Sequence, residues 1–211
     1  MREVKISGLI DELERSVTSI MSDFKQFTHG TRVLLLIERA KDGGANKEYQ
    51  RRALRLVVHN EASMRHALMQ MLVLQHTVNT NYRIYMTASP RNMDRAPYEF
   101  KRAMLDMDYS AGVDRSYFWE RLEDRWISAL IKTKPPKGET VFIIDVDTQD
   151  TSQTLKEITS LGINVLKCYP TKNGWHYVVR PFNTALWNVS DTEIQKEGLL
   201  LLSFIHTQSP S

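Results

Sequence analysis

The chain has 211 residues, a length that fits one compact domain or one domain with two lobes. Its hydrophobic share of 42% is ordinary for a globular core, and its charged share of 25% argues against wholesale disorder. The formal net charge of +3 is compatible with nucleic-acid binding but does not demand it.

The single cysteine, Cys168, excludes an internal disulfide and any cysteine-based zinc ribbon. It falls in an apolar stretch, which predicts a buried, inert thiol. No run of residues approaches transmembrane length, and the amino terminus lacks the apolar core of a signal peptide. We therefore expect no membrane partner and, by default, a cytoplasmic location.

The first part of the chain, residues 1–131, is predicted to be an α-rich α/β half. Its apolar patterns predict helices over 4–27, 61–76 and 114–131, and strands over 31–37, 51–58 and 82–87. A further helix is expected to run to about residue 107, with Ser89 as its cap and Pro90 as its first residue.

The strongest concentration of basic residues surrounds the predicted hairpin of strands 31–37 and 51–58, whose loop contains a flexible Gly-Gly pair. Two interpretations remain open. The cluster is either a solvated hairpin or a surface that contacts the phosphates of DNA. Its members are Arg39, Lys41, Lys47, Arg51, Arg52 and Arg55.

A proline-rich linker, 132–138, is the clearest internal boundary. It precedes a second half, 139–205, and a polar tail, 206–211. Within 141–180 the pattern predicts strand, helix (151–160), strand (164–169), turn and strand (175–180), followed by strands at 192–196 and 199–205. The fold class predicted for the chain is α/β (α+β) with a mixed sheet.

Two aspartates, Asp145 and Asp147, end the apolar run 141–144. Residues two apart on a strand share a face, so both carboxylates project together and repel each other. A hard divalent cation such as Mg²⁺ or Mn²⁺ is the economical partner for such a pair. The competing interpretation is a capped strand end, with Asp147 or Asp150 capping the helix that begins near Thr151.

A second group of polar residues surrounds the turn at 170–174. His176 follows Gly174 by two residues, and a glycine allows a ligand to approach the backbone closely. Lys172 and Arg180 are near enough in sequence to help hold an anion. Together with the paired acids, this arrangement suits a site for metal and nucleotide phosphates. The competing interpretation of His176 is a core histidine in a strand.

The sequences Ile143-Ile144-Asp145-Val146-Asp147 and Gly174-Trp175-His176 resemble the first two motifs of the archaeo-eukaryotic primase superfamily, the primase-polymerases. The resemblance implies an RRM-like βαββ catalytic half and nucleotidyl transfer on a DNA template. It assigns metal binding to Asp145, Asp147 and a third carboxylate, for which Asp191 is the first candidate and Glu193 and Glu197 are alternatives.

The same resemblance gives His176 a contact with the incoming nucleoside triphosphate, with Lys172, Gly174 and Arg180 beside it. It implies two metal ions, Mg²⁺ or Mn²⁺, about 3.5–4 Å apart. It also implies partner proteins such as a helicase or another replication protein. Two alternatives remain: a metal-dependent nuclease that uses the same acids, and a non-catalytic module that binds nucleotide, nucleic acid or a host protein.

Overall fold

The computed structural model describes residues 2–38, 52–77, 82–109, 115–171 and 173–204. The helices are α1 (Arg2–Asp23), α2 (Glu61–Thr77), α3 (Ala96–Tyr109), α4 (Arg115–Glu120), α5 (Leu122–Lys132) and α6 (Ser152–Ser160). The strands are β1 (Arg32–Glu38), β2 (Arg52–Val58), β3 (Tyr82–Thr87), β4 (Phe142–Val146), β5 (Val165–Pro170), β6 (Trp175–Val179), β7 (Thr192–Gln195) and β8 (Leu199–Phe204). This content confirms the α+β class.

The strands form two four-stranded sheets, in the orders β2-β1-β3-β8 and β5-β6-β4-β7. Neighbours are antiparallel in the pairs β1–β2, β1–β3, β4–β6, β4–β7 and β5–β6. The single mixed sheet expected from the sequence is therefore replaced by two antiparallel sheets. The reason is that β8 returns to β3 instead of continuing the sheet that contains β7.

The chain divides into two compact units. The first unit contains the described residues within 1–86, 91–134 and 201–211, and the second unit those within 87–90 and 135–200. The break between Lys134 and Pro135 lies inside the predicted linker. Strand β8 lies within the predicted second half, 139–205, whereas its pairing with β3 puts most of it in the first unit.

In the first unit, β1 is buried on both faces. Consecutive residues along a strand point to opposite sides, and Val33, Leu34, Leu35 and Leu36 are all buried. Both α2 and α5 contact the neighbouring strand β2. None of the helices in the described ranges is long and apolar enough to cross a membrane.

The segment after β3 differs from the prediction, because α3 begins at Ala96 and not after Ser89. The Ser89 hydroxyl accepts a hydrogen bond from the Val141 N–H at 3.0 Å and lies 3.3 Å from the Val141 carbonyl, so it ties two backbone segments together. Asn92 satisfies N–H groups before the helix, accepting from Asp94 at 3.0 Å and Arg95 at 3.2 Å. The helix predicted over 114–131 is divided into α4 and α5.

The second unit is built on a split β-α-β arrangement. Helix α6 connects β4 to β5, and β6 lies between these two strands, antiparallel to both. The side chains of Ile144, Val146, Tyr177 and Val179 form a core cluster with Ile158 of α6. Since side chains alternate along β4 and β6, Asp145 and His176 point to the sheet face opposite this core.

Strand β5 is the edge of this sheet, and Cys168 on it is exposed, which corrects the prediction of a buried thiol. An edge strand has a neighbour on one side only, so its apolar composition does not ensure burial. Partial burial of the thiol nevertheless raises the pKa of Cys168 above its ordinary value.

Candidate functional site

One residue from each strand of the second sheet contributes to a continuous row. Tyr169 of β5 is the register partner of His176 of β6, His176 is the partner of Asp145 of β4, and Asp145 is the partner of Glu193 of β7. Directly opposite residues of antiparallel strands have side chains on the same face. These four residues, which we call the cross-strand row, therefore share the face opposite α6.

A hydrogen bond and an ion-pair contact connect three members of the row. The Tyr169 hydroxyl lies 3.0 Å from His176 Nδ1, and His176 Nε2 lies 3.1 Å from Asp145 Oδ1. Gln195 of β7 donates its amide Nε2–H to Asp145 Oδ2 at 3.3 Å. The Tyr169 and His176 rings also pack edge to face, with centroids 5.2 Å apart. The imidazole is thus held on both nitrogens, and both oxygens of Asp145 accept a contact.

Exposure rises along the row from the histidine towards β7. His176 is 9% exposed, the Asp145 side chain is 26% exposed, and Glu193 is exposed. A buried histidine with both nitrogens satisfied is also what the core interpretation predicts. What the core interpretation does not require is the acidic end of the row, where carboxylates of β4 and β7 face each other.

The register between β4 and β7 continues past the strand ends, because the Asp147 N–H donates to the Asp191 carbonyl at 3.0 Å. One pair of acids, Asp145 and Glu193, is therefore in direct register, and the backbones of Asp147 and Asp191 meet just beyond it. Like charges directly opposite on neighbouring strands are destabilising. Among the described residues, Asp147, Asp191 and Glu193 form no ion pair. A bound cation would relieve this repulsion.

The first candidate for the third carboxylate, Asp191, lies before β7 and has a left-handed backbone with φ of 57°. That conformation interrupts the alternation of side chains that a strand imposes. Glu193 lies inside β7 and is the direct register partner of Asp145. Of the three acids considered from the sequence, Glu193 is the one whose side of the sheet follows from strand pairing.

Helix α6 is capped by Asp150 and not by Asp147. The Asp150 carboxylate accepts the Ser152 N–H at 2.9 Å. This backbone hydrogen bond, helped by a second one from the Ser152 side chain, lowers the pKa of Asp150. Asp147 is consequently not needed as a cap. Of the two residues that the competing interpretation named, Asp150 is the one that accepts a hydrogen bond from the start of the helix.

Gly174 has a structural reason to be glycine. A Cβ atom at this position would lie 1.8 Å from the Val146 carbonyl oxygen. The preceding turn is closed by the Thr171 N–H, which donates to the Gly174 carbonyl at 2.8 Å. The space that the missing side chain leaves is filled by the end of β4, so it is not available for a ligand.

The two basic residues predicted beside His176 are not brought to it by the described structure. Lys172 lies outside the described residues. Arg180 follows the far end of β6, four residues and about 13 Å along the strand from His176. Its guanidinium donates to the Gly138 carbonyl at 3.1 Å.

Of the predicted nucleic-acid cluster, Arg39, Lys41, Lys47 and Arg51 lie outside the described residues, and Arg52 is described in its backbone only. The Arg55 side chain is 10% exposed and forms an ion pair with Asp124 of α5. It also donates to the Ser128 hydroxyl at 3.1 Å and to the Asp124 carbonyl at 3.0 Å. Arg55 therefore serves the packing of the first unit.

The carboxylates at the acidic end of the row are ligands of the type that a hard cation prefers, but they are not arranged as a preformed metal site. Within the described ranges, no group of three or more His, Cys, Asp or Glu side chains stands ready to hold a metal ion. Magnesium, however, is usually held by only one or two carboxylates, with water and substrate phosphates completing its octahedron. Asp145, Asp147 and Glu193 can supply that many carboxylates.

Tyr169 and Gln195 were not assigned to this site from the sequence, and Glu193 was named only as an alternative to Asp191. Tyr169 could have been found, because the Pro170–Gly174 turn signal pairs residue 169 with residue 176 in a hairpin. Comparison with known protein families, with curated proteins and with solved structures finds no match for the chain.

Proposed function

We propose that the second unit binds a nucleoside triphosphate with a divalent metal and transfers a nucleotidyl group to a strand on a DNA template, as primase-polymerases do. The main support is the contact between Asp145 and His176, which lie 3.1 Å apart although they belong to separate motifs. Residue chemistry and the resemblance both group the Asp-x-Asp and Gly-x-His motifs in one site, but nothing in their spacing requires Asp145 and His176 to be direct register partners.

The order of the second sheet is in keeping with an RRM-like catalytic half, which we propose as the finer description of this unit. A helix links β4 to β5, β6 returns between them, and β7 adds to the free side of β4. The two innermost strands, β4 and β6, are those that contain Asp145 and His176. Central strands are the most rigid support that a sheet offers to a site.

In this proposal Asp145, Asp147 and Glu193 hold Mg²⁺ or Mn²⁺. Glu193 takes precedence over Asp191 and Glu197 because it is paired directly with Asp145. Such an ion, when bound, neutralises triphosphate charge and lowers the pKa of the attacking hydroxyl.

With such an ion bound, the chain's own residues would exchange partners. If the Asp145 carboxylate turned towards the ion, the Nε2–H of His176 would be able to donate to a phosphate oxygen. The imidazole would then exchange one anionic oxygen acceptor for another. Gln195 remains on the second oxygen of Asp145 and limits how far the carboxylate rotates.

The DNA partner is proposed from the basic residues around the hairpin. Since Arg55 is occupied by Asp124, a phosphate-contacting surface on the hairpin would consist of Arg39, Lys41, Lys47, Arg51 and Arg52. Replacing one phosphate-binding side chain by alanine reduces the salt dependence of DNA binding by about one unit in log–log slope.

The decisive assay incubates the full chain with a labelled primer–template, all four dNTPs or NTPs, and Mg²⁺ or Mn²⁺. We expect primer extension, which His176→Ala removes together with about ten- to a hundredfold of nucleotide affinity, because a charge-assisted hydrogen bond disappears. Asp145→Asn with Asp147→Asn should abolish Mn²⁺ binding in titration calorimetry. Glu193→Gln should weaken that binding more than the matched variant Asp191→Asn.

The other outcomes assign the alternatives. Shortening of the primer by the parent protein would replace the proposal by a nuclease. An inert parent that still binds nucleotide or DNA would indicate a non-catalytic binding module. Unchanged Mn²⁺ binding in the double variant would remove the metal site altogether.

A further inference from the structure

We infer that Tyr169 is a positioning residue that keeps His176 in the tautomer with its proton on Nε2. The geometry is the 3.0 Å contact from the Tyr169 hydroxyl to Nδ1, on the opposite side of the ring from the 3.1 Å contact between Nε2 and Asp145. The consequence for nucleotide binding rests on the proposed function, whereas the tautomer itself does not.

A neutral imidazole has one N–H donor and one bare nitrogen acceptor. A carboxylate only accepts, so the nitrogen that faces Asp145 must be the donor. Nδ1 is then the acceptor, and the phenol of Tyr169 is the group in position to donate to it. Tyr169 and Asp145 therefore select the same tautomer from opposite sides of the ring.

Asp145 and Tyr169 favour this tautomer at different stages of nucleotide binding. Once Asp145 turns away to serve as a ligand, its influence on the ring ends. Tyr169 lies on β5 and has no part in that rotation, so its hydroxyl alone then keeps the proton on Nε2. With the other tautomer, a bare Nε2 would face a phosphate oxygen and repel it instead of donating to it.

The pairing of β5 with β6 places Tyr169 so that it can act on His176 independently of Asp145. Tyr169 and His176 are register partners in the β5–β6 hairpin, and their rings pack edge to face with centroids 5.2 Å apart. The hydroxyl can therefore be removed while the aromatic packing stays. Tyr169→Phe is the variant that makes this change, and it isolates the hydrogen bond from the ring.

The first arm of the test reads the tautomer by ¹⁵N NMR of His176 in the full chain at pH ~8.5, where an ordinary imidazole is neutral. In Asp145→Ala, where the carboxylate is absent, we expect Nε2 still to carry the proton. In Asp145→Ala with Tyr169→Phe, both nitrogens should shift towards the mixture found in an exposed histidine. Tyr177→Phe in the Asp145→Ala background is the matched control, because it removes a hydroxyl from the opposite face of the same sheet.

The second arm measures dATP affinity with Mg²⁺. Tyr169→Phe should weaken it by about three- to tenfold, the effect of one neutral hydrogen bond. In a His176→Gln background this weakening should disappear. A glutamine amide nitrogen always carries its protons, so no neighbouring group is needed to choose between tautomers. A weakening that persists there would show that Tyr169 acts through packing and would overturn the inference.

Two further results would also overturn it: the same tautomer in Asp145→Ala with and without the Tyr169 hydroxyl, or a ring protonated on both nitrogens at that pH. If the parent binds no dATP, the proposed function fails. The NMR arm still decides the inference in that case, so the two failures are distinguishable.

Discussion

The central strands β1 and β4 present opposite solutions to a similar position in a four-stranded sheet. Both have a neighbour on each side. Strand β1 is apolar on both faces, with Leu34 and Leu35 both buried. Strand β4 is apolar on the face towards α6, and on its other face Asp145 lies next to the buried Ile143. A central strand that replaces one apolar residue by a carboxylate loses stabilising burial at that position, and a functional role is a reason to do so.

The charges of the two units differ in the same way. In the first unit Arg55 meets Asp124, so opposite charges neutralise each other inside the unit. In the second unit Asp145 is the register partner of Glu193, so two acids are opposite each other. Asp145 contacts His176 and Gln195, but among the described residues Glu193 has no ion pair. A cation bound at this end of the row would neutralise both acids. Substitutions in each unit test this contrast.

The largest effect on stability is expected from Gly174→Ala. The new Cβ would lie 1.8 Å from the Val146 carbonyl, so the end of β4 must move away from β6. We expect a decrease of about 3 kcal/mol in the free energy of unfolding, measured by urea denaturation. The site should be disturbed as well, because Asp145 and His176 are held by the same strand pair.

Gly8→Ala is the matched control for Gly174→Ala. No atom lies within 4 Å of a Cβ at position 8, inside α1, so the exchange should stabilise the helix by about 0.5–1 kcal/mol. A Gly174→Ala protein as stable as the parent would show that the close approach of Val146 does not require glycine at this position.

A smaller effect is expected from Asp124→Asn in the first unit. The Arg55 hydrogen bond is the main cause that lowers the pKa of Asp124 below 3.8. A carboxyl group whose pKa is lowered in the folded state stabilises the protein at pH values above its ordinary pKa. This stabilisation disappears as the pH falls through the folded-state pKa. Because the Asp124 side chain is 45% exposed, we expect a decrease of only about 1–2 kcal/mol at neutral pH.

The pH dependence distinguishes the ion pair from a general effect of helix charge. The stabilities of the parent and Asp124→Asn should converge as the pH falls through the folded-state pKa of Asp124, which lies below 3.8, because the folded parent's carboxyl then also becomes neutral. Glu123→Gln, in the same first turn of α5, controls for the helix dipole. If the two variants are destabilised equally, the Arg55 pair is not what holds α5.

The smallest effect concerns Cys168. Its raised pKa reduces the fraction of thiolate, the form that reacts with alkylating agents. Although the residue is exposed, iodoacetamide should therefore label it a few times more slowly in the folded protein than in the urea-unfolded chain at the same pH. Complete protection would favour the buried thiol predicted from the sequence, and faster labelling would contradict the raised pKa.

The parts of the site that depend on short sequence patterns were predictable from the sequence. The apolar run before Asp145, the turn before Gly174 and the strand containing His176 each leave a signal within a few residues. Helix α6 and strands β1, β3 and β4 form within a few residues of their predicted bounds. The α+β class follows from these elements alone.

The parts that depend on strand pairing were not predictable. The sequence favours Asp191 over Glu193 as the third acid, and only the pairing of β7 with β4 puts Glu193 opposite Asp145. The exposure of Cys168 follows from the edge position of β5, and the two sheets follow from the return of β8 to β3. Arg55 belongs to a basic cluster in sequence, but its partner Asp124 lies on α5, far along the chain.

The cross-strand row also has a consequence for the order of folding. Tyr169 and His176 meet across a short hairpin, whereas Asp145 and Gln195 are separated by 50 positions along the chain. Closing the longer segment costs more chain entropy, and contacts of high sequence separation form slowly. During synthesis the aromatic end of the row can therefore form as soon as the hairpin emerges. Its acidic end must wait for β7, so the paired carboxylates stay apart until the second sheet is nearly complete.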